Sequence, residues 1–225
     1  HMFGFLSSIS PEAIKDVQIF KGHIPAKFGG RTSSVVELSS RSGNNTSLHG
    51  SVYGNLMSNG ILAEMPIFGR GSIIINSRKS RPSNQFSEVY KSIQKFITGD
   101  NKFNLITETG DQNTNQNTEY DLYSSYEDFF SRLSFIISPK HRMTFTLVNG
   151  KDSILEERTY YGFNNILESD TAYIREKNTF KNFGQSLNFY SQWNNKYRTH
   201  FSISNYSYEN KYFSKQISPY ENNNS

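Results

Sequence analysis

The chain has 225 residues, 24 basic and 20 acidic side chains, a formal net charge of +4, no cysteine and 15% aromatic residues. An apolar share of 35% and a mean hydropathy of −0.65 are low for a closed domain of this length with a dry core. These values exclude a disulfide framework or a thiolate metal site. The scattered basic residues leave no nucleic-acid footprint, and no run of 18 apolar residues exists to form a transmembrane helix.

His1-Met2-Phe3 lacks the basic region and apolar core of a signal peptide. His1-Met2 resembles a cloning remnant, so the chain is expected to be a piece of a longer protein. Ser10-Pro11-Glu12 predicts a helix start, with Ser10 as N-cap and Pro11 at the first helical position. Ile14, Val17 and Ile19 predict a strand that stops at Lys21-Gly22. Pro25 and the pair Gly29-Gly30 punctuate a loop ending at Arg31, and Ser33 to Ser40, with Val35-Val36, predicts the returning strand.

Residues 42–47 form a polar link, after which short segments of alternating polarity begin. Strands are predicted at about Leu48–Met57, Ile61–Ile67 and Ser72–Lys79, with turns at Ser58-Asn59-Gly60 and Phe68–Gly71. A long insertion from Ser80 to Glu127 opens with an amphipathic helix near Ser83–Ile97. Further strands follow at Phe129–Ser138 and Arg142–Gly150, joined by Pro139-Lys140-His141. A second long loop runs from Lys151 to Phe180. The last strands, Phe183–Trp193 and Tyr197–Tyr212, are joined by Asn194-Asn195-Lys196. Trp193 falls at a short-turn end, where an interfacial aromatic girdle would lie.

Strands with one apolar and one polar face, joined alternately by short turns and long loops, are the pattern of an outer-membrane β-barrel. A polar lumen face accounts for the low hydropathy. A soluble sandwich also alternates, but it needs an apolar core and has no need of the short and long rhythm. A small closed barrel of eight strands would require one strand more.

The run "DVQIFKG", "PAKFGGR" and "SSVVELSSRSG" from Asp16 to Gly43 resembles the last third of the plug domain of TonB-dependent outer-membrane receptors, where "IESVEVLKG", "ARYGGR" and "GVINIxTK" occur in that order. "GSVYGNLMSNGILAEMPI" from Gly50 and "SRKSR" from Ser77 are similar to the early barrel of Bacteroidota-type receptors. The later hairpins, "YEDFFSRLSFIISPKHRMTFTLVNGKD" and "FGQSLNFYSQWNNKYRTHFSISNYSY", resemble the strands that follow. The resemblance implies an all-β fold: the C-terminal part of a plug in residues 1–46, then the N-terminal part of a transmembrane antiparallel barrel in 47–225. About seven strands of about 22 are expected, with one short helix in a long extracellular loop.

The implied activity is active uptake of a scarce solute, such as a siderophore, cobalamin, an oligosaccharide or a peptide. The implied location is the bacterial outer membrane. Lipid would surround the barrel, and energy would arrive through TonB by a segment outside this chain. The plug motif maps onto Lys21, Gly22, Gly29, Gly30 and Arg31. The loop "KGHIPAKFGGR" differs from the SusC-like form and is more similar to that of receptors carrying an N-terminal carboxypeptidase-regulatory-like domain, so a SusD-like lipoprotein partner is not expected. The competing class is a soluble or surface-exposed β-rich binding module that uses its aromatic loops.

No catalytic constellation is present, and no enzyme or cofactor is expected. The five histidines are isolated, Glu156-Glu157 reads as a solvated charge pair, and Gly29-Gly30 is not followed by the Lys-Ser/Thr of a phosphate loop. Tyr120, Tyr123, Tyr160, Tyr161 and Phe163 fall in the predicted loops and are candidates to line a ligand mouth. Strand parity sets Leu62 and Glu64 on one face, with Ala63 and Met65 on the other. Glu64 on a lumen face needs a cation or water, and Arg31 and Arg41 are the nearest basic residues of the plug segment.

Overall fold

The computed structural model describes residues 10–22, 24–25, 28, 34–55, 58–81, 118–161 and 171–217; the side chains of 118–122, 160–161 and 171 lie outside that set. Among the described residues the chain is all-β. A single 3-10 turn, Pro11–Ala13, precedes β1 (Ile14–Lys21) and β2 (Ser34–Ser40). Then come β3 (His49–Gly54), β4 (Ser58–Ile67), β5 (Gly71–Ser80), β6 (Thr118–Ser138), β7 (His141–Tyr161), β8 (Thr171–Gln192) and β9 (Arg198–Ile217). β1 and β2 form an antiparallel hairpin. β3 to β9 form one sheet in sequential order, seven strands with β3 and β9 at its edges. The sheet is open and does not close into a barrel among the described residues.

Cross-strand partners fix the two faces of this sheet. Val52 opposes Ile61, Ala63 opposes Ile75, Met65 opposes Ile73, and Ile73 in turn opposes Leu133. That face is apolar, yet Val52, Ile61 and Met65 are 84%, 56% and 46% exposed. On the other face Leu62 opposes Asn76, Glu64 opposes Ile74 and Arg78 opposes Asp128. Here Ser72, Asn76, Glu64, Arg78 and Asp128 are buried. The usual relation is reversed: water-soluble sheets bury the apolar face and expose the polar one. A small apolar cluster, Ala13, Leu62, Ile74 and Phe130, lies on the polar side, with Tyr53 and Val148 packed against it.

Two compact units divide the chain. One comprises His1–Ser80, Glu127–Lys151 and Lys181–Tyr208; it holds the hairpin, β3 to β5 and the apolar face. The other comprises Arg81–Tyr126, Asp152–Phe180 and Glu209–Ser225. Its strand segments carry charged and tyrosine side chains in place of an apolar stripe.

Several expectations need correction. Ser10-Pro11-Glu12 starts only the three-residue 3-10 turn, because β1 begins at Ile14, and Ser10 makes no capping bond. Ser58-Asn59-Gly60 is not a turn. All three residues lie in β4 and pair with β5, while the chain reverses at 55–58, where Asn55 N donates to Ser58 O at 2.9 Å and Asn55 Oδ1 accepts from Ser58 N at 2.8 Å. Gly60 is there for space, not for backbone conformation: the Tyr53 ring lies across it, and a Cβ would collide with that ring. Tyr120, Tyr123, Tyr160 and Tyr161 are not loop residues but belong to β6 and β7. Of the second long loop expected from Lys151 to Phe180, residues 151–161 and 171–180 are strand, and 162–170 lie outside the described residues. Hydrophobic alternation marks only those strand segments that have an apolar face, so the polar halves of β6 to β9 carry no such mark. The helix expected near 83–97 lies outside the described residues, as does Phe163.

At the opposite end the short turns are tight. Arg70 N donates to Ile67 O at 3.0 Å, with Phe68 at φ 48° and Gly69 at φ 64°. Positive φ at both central residues is the hairpin turn whose twist matches its strands. Gly69 adopts it freely, but Phe68 bears the Cβ penalty, and its ring is 92% exposed. Phe68→Asn is therefore expected to stabilise the chain by about 1 kcal/mol in urea unfolding monitored in detergent micelles. A destabilised variant would mean that the exposed ring makes a compensating contact.

Candidate functional site

The polar face of the sheet is built to hold the β1–β2 segment. Tyr53 is its hub. From β3 the side chain crosses Gly60 on β4, and its hydroxyl accepts from Asn76 Nδ2 on β5 at 2.9 Å while sharing a 2.9 Å hydrogen bond with Ser10 Oγ. A glycine filled by a cross-strand aromatic recovers the packing that glycine lacks. Arg41, one residue beyond β2, ties three parts together. Its backbone N donates to Ala13 O at 2.9 Å, Nη1 donates to Glu12 O at 3.2 Å, and Nη2 pairs with Glu64 Oε1 at 2.9 Å. On β6, Arg132 Nη1 donates to Ser40 O at 3.0 Å and to Ser40 Oγ at 2.7 Å.

Glu64 is nearly buried and Arg41 is 40% exposed. The carboxylate therefore has lost most of its water and gained a guanidinium in return. Of the two cations expected near it, Arg41 reaches Glu64; Arg31 lies outside the described residues, together with Gly29 and Gly30. Lys21 ends β1 and is exposed, and Gly22 leaves the strand at φ 78°. Further along the same face, Arg78 and Asp128 form a buried pair, with Arg78 Nε donating to Asp128 Oδ2 at 2.8 Å.

The second unit carries two networks. In one, Arg158 Nη2 lies 2.7 Å from Glu156 Oε2 and 3.6 Å from Glu176 Oε2, and Tyr212 donates to Glu176 Oε1 at 2.6 Å. That hydrogen bond raises the Tyr212 phenol pKa above its usual value by holding the proton. In the other, Glu157 accepts from Tyr173 at 2.9 Å and pairs with Arg175 Nε at 3.1 Å. Glu156 and Glu157, adjacent on a strand, point to opposite faces and serve different networks. Tyr123 is half-buried on β6 and engaged by neighbours. The side chains of Tyr120, Tyr160 and Tyr161 lie outside the described residues. No three metal-ligating side chains come together among the described residues.

Sequence reasoning missed Tyr53, Arg132 and the Arg78–Asp128 pair. A signal existed for the pair: an arginine and an aspartate in phase with the polar residues of their strands. No short-range pattern links Tyr53 to Gly60, Asn76 and Ser10, because those contacts depend on strand register.

Comparison with known proteins found no matching family model, no matching curated protein and no matching solved structure.

Separation of Arg41 from Glu64 is expected to cost about 1–3 kcal/mol, since a nearly buried carboxylate is left without its partner. An Arg41→Ala, Glu64→Ala double-mutant cycle measured by urea unfolding in micelles should give a coupling of about 1–2 kcal/mol. A coupling near zero would mean that the contact contributes nothing to seating the hairpin.

Proposed function

We propose that the chain is part of a TonB-dependent outer-membrane receptor of the Bacteroidota type, the last part of its plug followed by seven strands of its barrel. The parent imports a scarce solute (a siderophore, cobalamin, an oligosaccharide or a peptide) and performs no covalent chemistry. The observation that carries this reading is the reversed sheet: an exposed apolar face, with a separate hairpin seated on the buried polar face. Lipid is the solvent for which such a sheet is amphipathic in the right sense.

Three further features support it. On β6 the apolar face runs from Phe129 to Ile137, nine residues, close to the roughly 9–11 that a tilted membrane strand needs. Charge bounds that belt on one side: Lys79 lies 3.7 Å and Lys151 4.0 Å from Glu127, and Lys181 shares the cleft of Glu127 and Lys151. Aromatic rings bound it on the other: His141 stacks on Phe189 at 6.1 Å and meets the edge of Trp193 at 5.3 Å, next to the short turn. Such rings sit well at a headgroup boundary. The hairpin supports the plug half of the reading. Val17, Ile19, Val36 and Leu38 share one exposed apolar face, which the preceding half of a plug would cover.

In this reading the short turns Phe68–Arg70, Pro139–Lys140 and Asn194–Lys196 lie in the periplasm. The connections 81–117 and 162–170 lie outside the cell. The outer strand ends, with Tyr123 and the Glu156, Arg158, Glu176 and Tyr212 network, then face the incoming solute. TonB, lipid and solute are the partners.

Phe145→Arg places a charge in the middle of the proposed lipid face. It should reduce the stability of the chain folded into bilayers by about 2–4 kcal/mol, measured by reversible urea titration. An unchanged stability, together with a monodisperse chain in plain buffer, would favour the soluble binding module. Orientation has its own check in cells carrying the parent protein. An impermeant maleimide should label a cysteine at Asn115 and spare one at Lys140, and labelling of Lys140→Cys alone would reverse the topology.

A further inference from the structure

Seven of the described cations sit beside a carboxylate. Arg41, Arg78, Arg158, Arg175, Lys79, Lys151 and Lys211 each lie within 4.0 Å of a carboxylate. Three cations outside that set lie together. At the short-turn end, a cleft of about 570 Å³ opens across β6, β7, β8 and β9, lined by Lys140, Arg142 and Arg198 together with Tyr190, Gln192 and His200. None of the three cations has a carboxylate partner among the described residues, and no acidic residue lines the cleft.

Like charges gathered without a counter-charge repel one another, and they persist most readily where an anion offsets them. Arg142 is in phase with Thr144 and Val148, so it stands on the polar face of β7 and not on the apolar belt. The aromatic side of the cleft is preformed. Tyr190 and His200 stack with ring centroids 4.2 Å apart and planes 10° from parallel, and a 3.1 Å hydrogen bond between His200 Nε2 and Asn188 Oδ1 fixes the ring. The volume suits a small molecule.

We propose that this cleft binds a small multivalent oxyanion of the phosphate class. Arg142 and Arg198 supply planar, forked donors, Lys140 a mobile point charge, and the Tyr190–His200 stack a rigid wall. Two guanidinium forks with one ammonium match an anion having several acceptor oxygens better than a single carboxylate. The inference needs only the local geometry of the turn end and does not depend on the membrane reading.

Trp193 is the single tryptophan and follows Gln192 of the cleft, so its fluorescence is a built-in reporter. The full chain in zwitterionic detergent is titrated with pyrophosphate against chloride at matched ionic strength, with calorimetry as a second readout. One saturable event is expected. Arg142→Gln and Arg198→Gln should each weaken it about tenfold, as loss of a charged hydrogen bond does. Lys79→Gln, in the charged row of the apolar face, should leave it unchanged. Lys140→Gln, at an exposed turn position that the fold does not need, should also weaken binding, which keeps the test valid if an arginine variant does not fold. A parallel titration with short-chain phosphatidylglycerol below its micelle concentration separates a lipid headgroup from free phosphate as the source. No saturation with either probe, or binding that survives in the Arg142→Gln, Arg198→Gln double variant, would overturn the proposal.

Discussion

Glu64 can lie on the buried face of β4 only because Arg41 reaches it, and much else follows from that requirement. A carboxylate removed from water needs a cation or several donors, or the fold loses more than burial returns. Arg41 satisfies it with one guanidinium nitrogen, while its other nitrogen and its backbone N–H hold Glu12 and Ala13. The segment around β1 and β2 is thereby anchored at the point where the sheet most needs a partner. Arg132 repeats the arrangement from the other side, donating from the sheet to Ser40 at the end of β2. Tyr53 adds a third attachment at Ser10.

These three attachments are polar, and the apolar cluster beneath them is small: Ala13, Leu62, Ile74 and Phe130. Such an interface holds by geometry more than by area. Polar groups at an interface can exchange partners or water without a large loss of free energy, whereas a broad apolar contact separates only at high cost. On the receptor reading proposed above, a segment held in this way is suited to release during transport. The buried Arg78–Asp128 pair stands apart, since both partners belong to the sheet. Loss of either would leave a buried charge, at a cost of about 3–5 kcal/mol, so this pair is expected to fix the strands rather than the hairpin.

Much of the sheet was legible in the sequence because one face of each strand is apolar in its first-unit segment. Ile61, Met65, Ile73, Ile75, Leu133 and Phe145 alternate with polar residues, and their parity also placed Glu64 on the correct face. The polar halves of β6 to β9 were not legible. From Thr118 to Glu127 no apolar stripe exists, so only β propensity was present to mark a strand, and Tyr120 and Tyr123 read as loop. Asn59-Gly60 misled for a different reason. The pair has the chemistry of a tight turn, but Gly60 serves as the bed of the Tyr53 ring, a tertiary demand that overrides local preference. The site was visible only where parity and charge coincide, at Glu64 and Arg41; contacts such as Tyr53 with Asn76 required the register itself.

The central claim is that the exposed face of this sheet is covered by lipid. Single spin labels placed in turn at each position from Glu127 to Ile137 of β6, in the chain reconstituted into bilayers, test it directly. Collision with oxygen, which concentrates in lipid, should peak at Phe129, Leu133, Phe135 and Ile137. It should fall at Asp128, Phe130 and Arg132, with a period of two residues. A flat profile, or one in the opposite phase, would contradict the account.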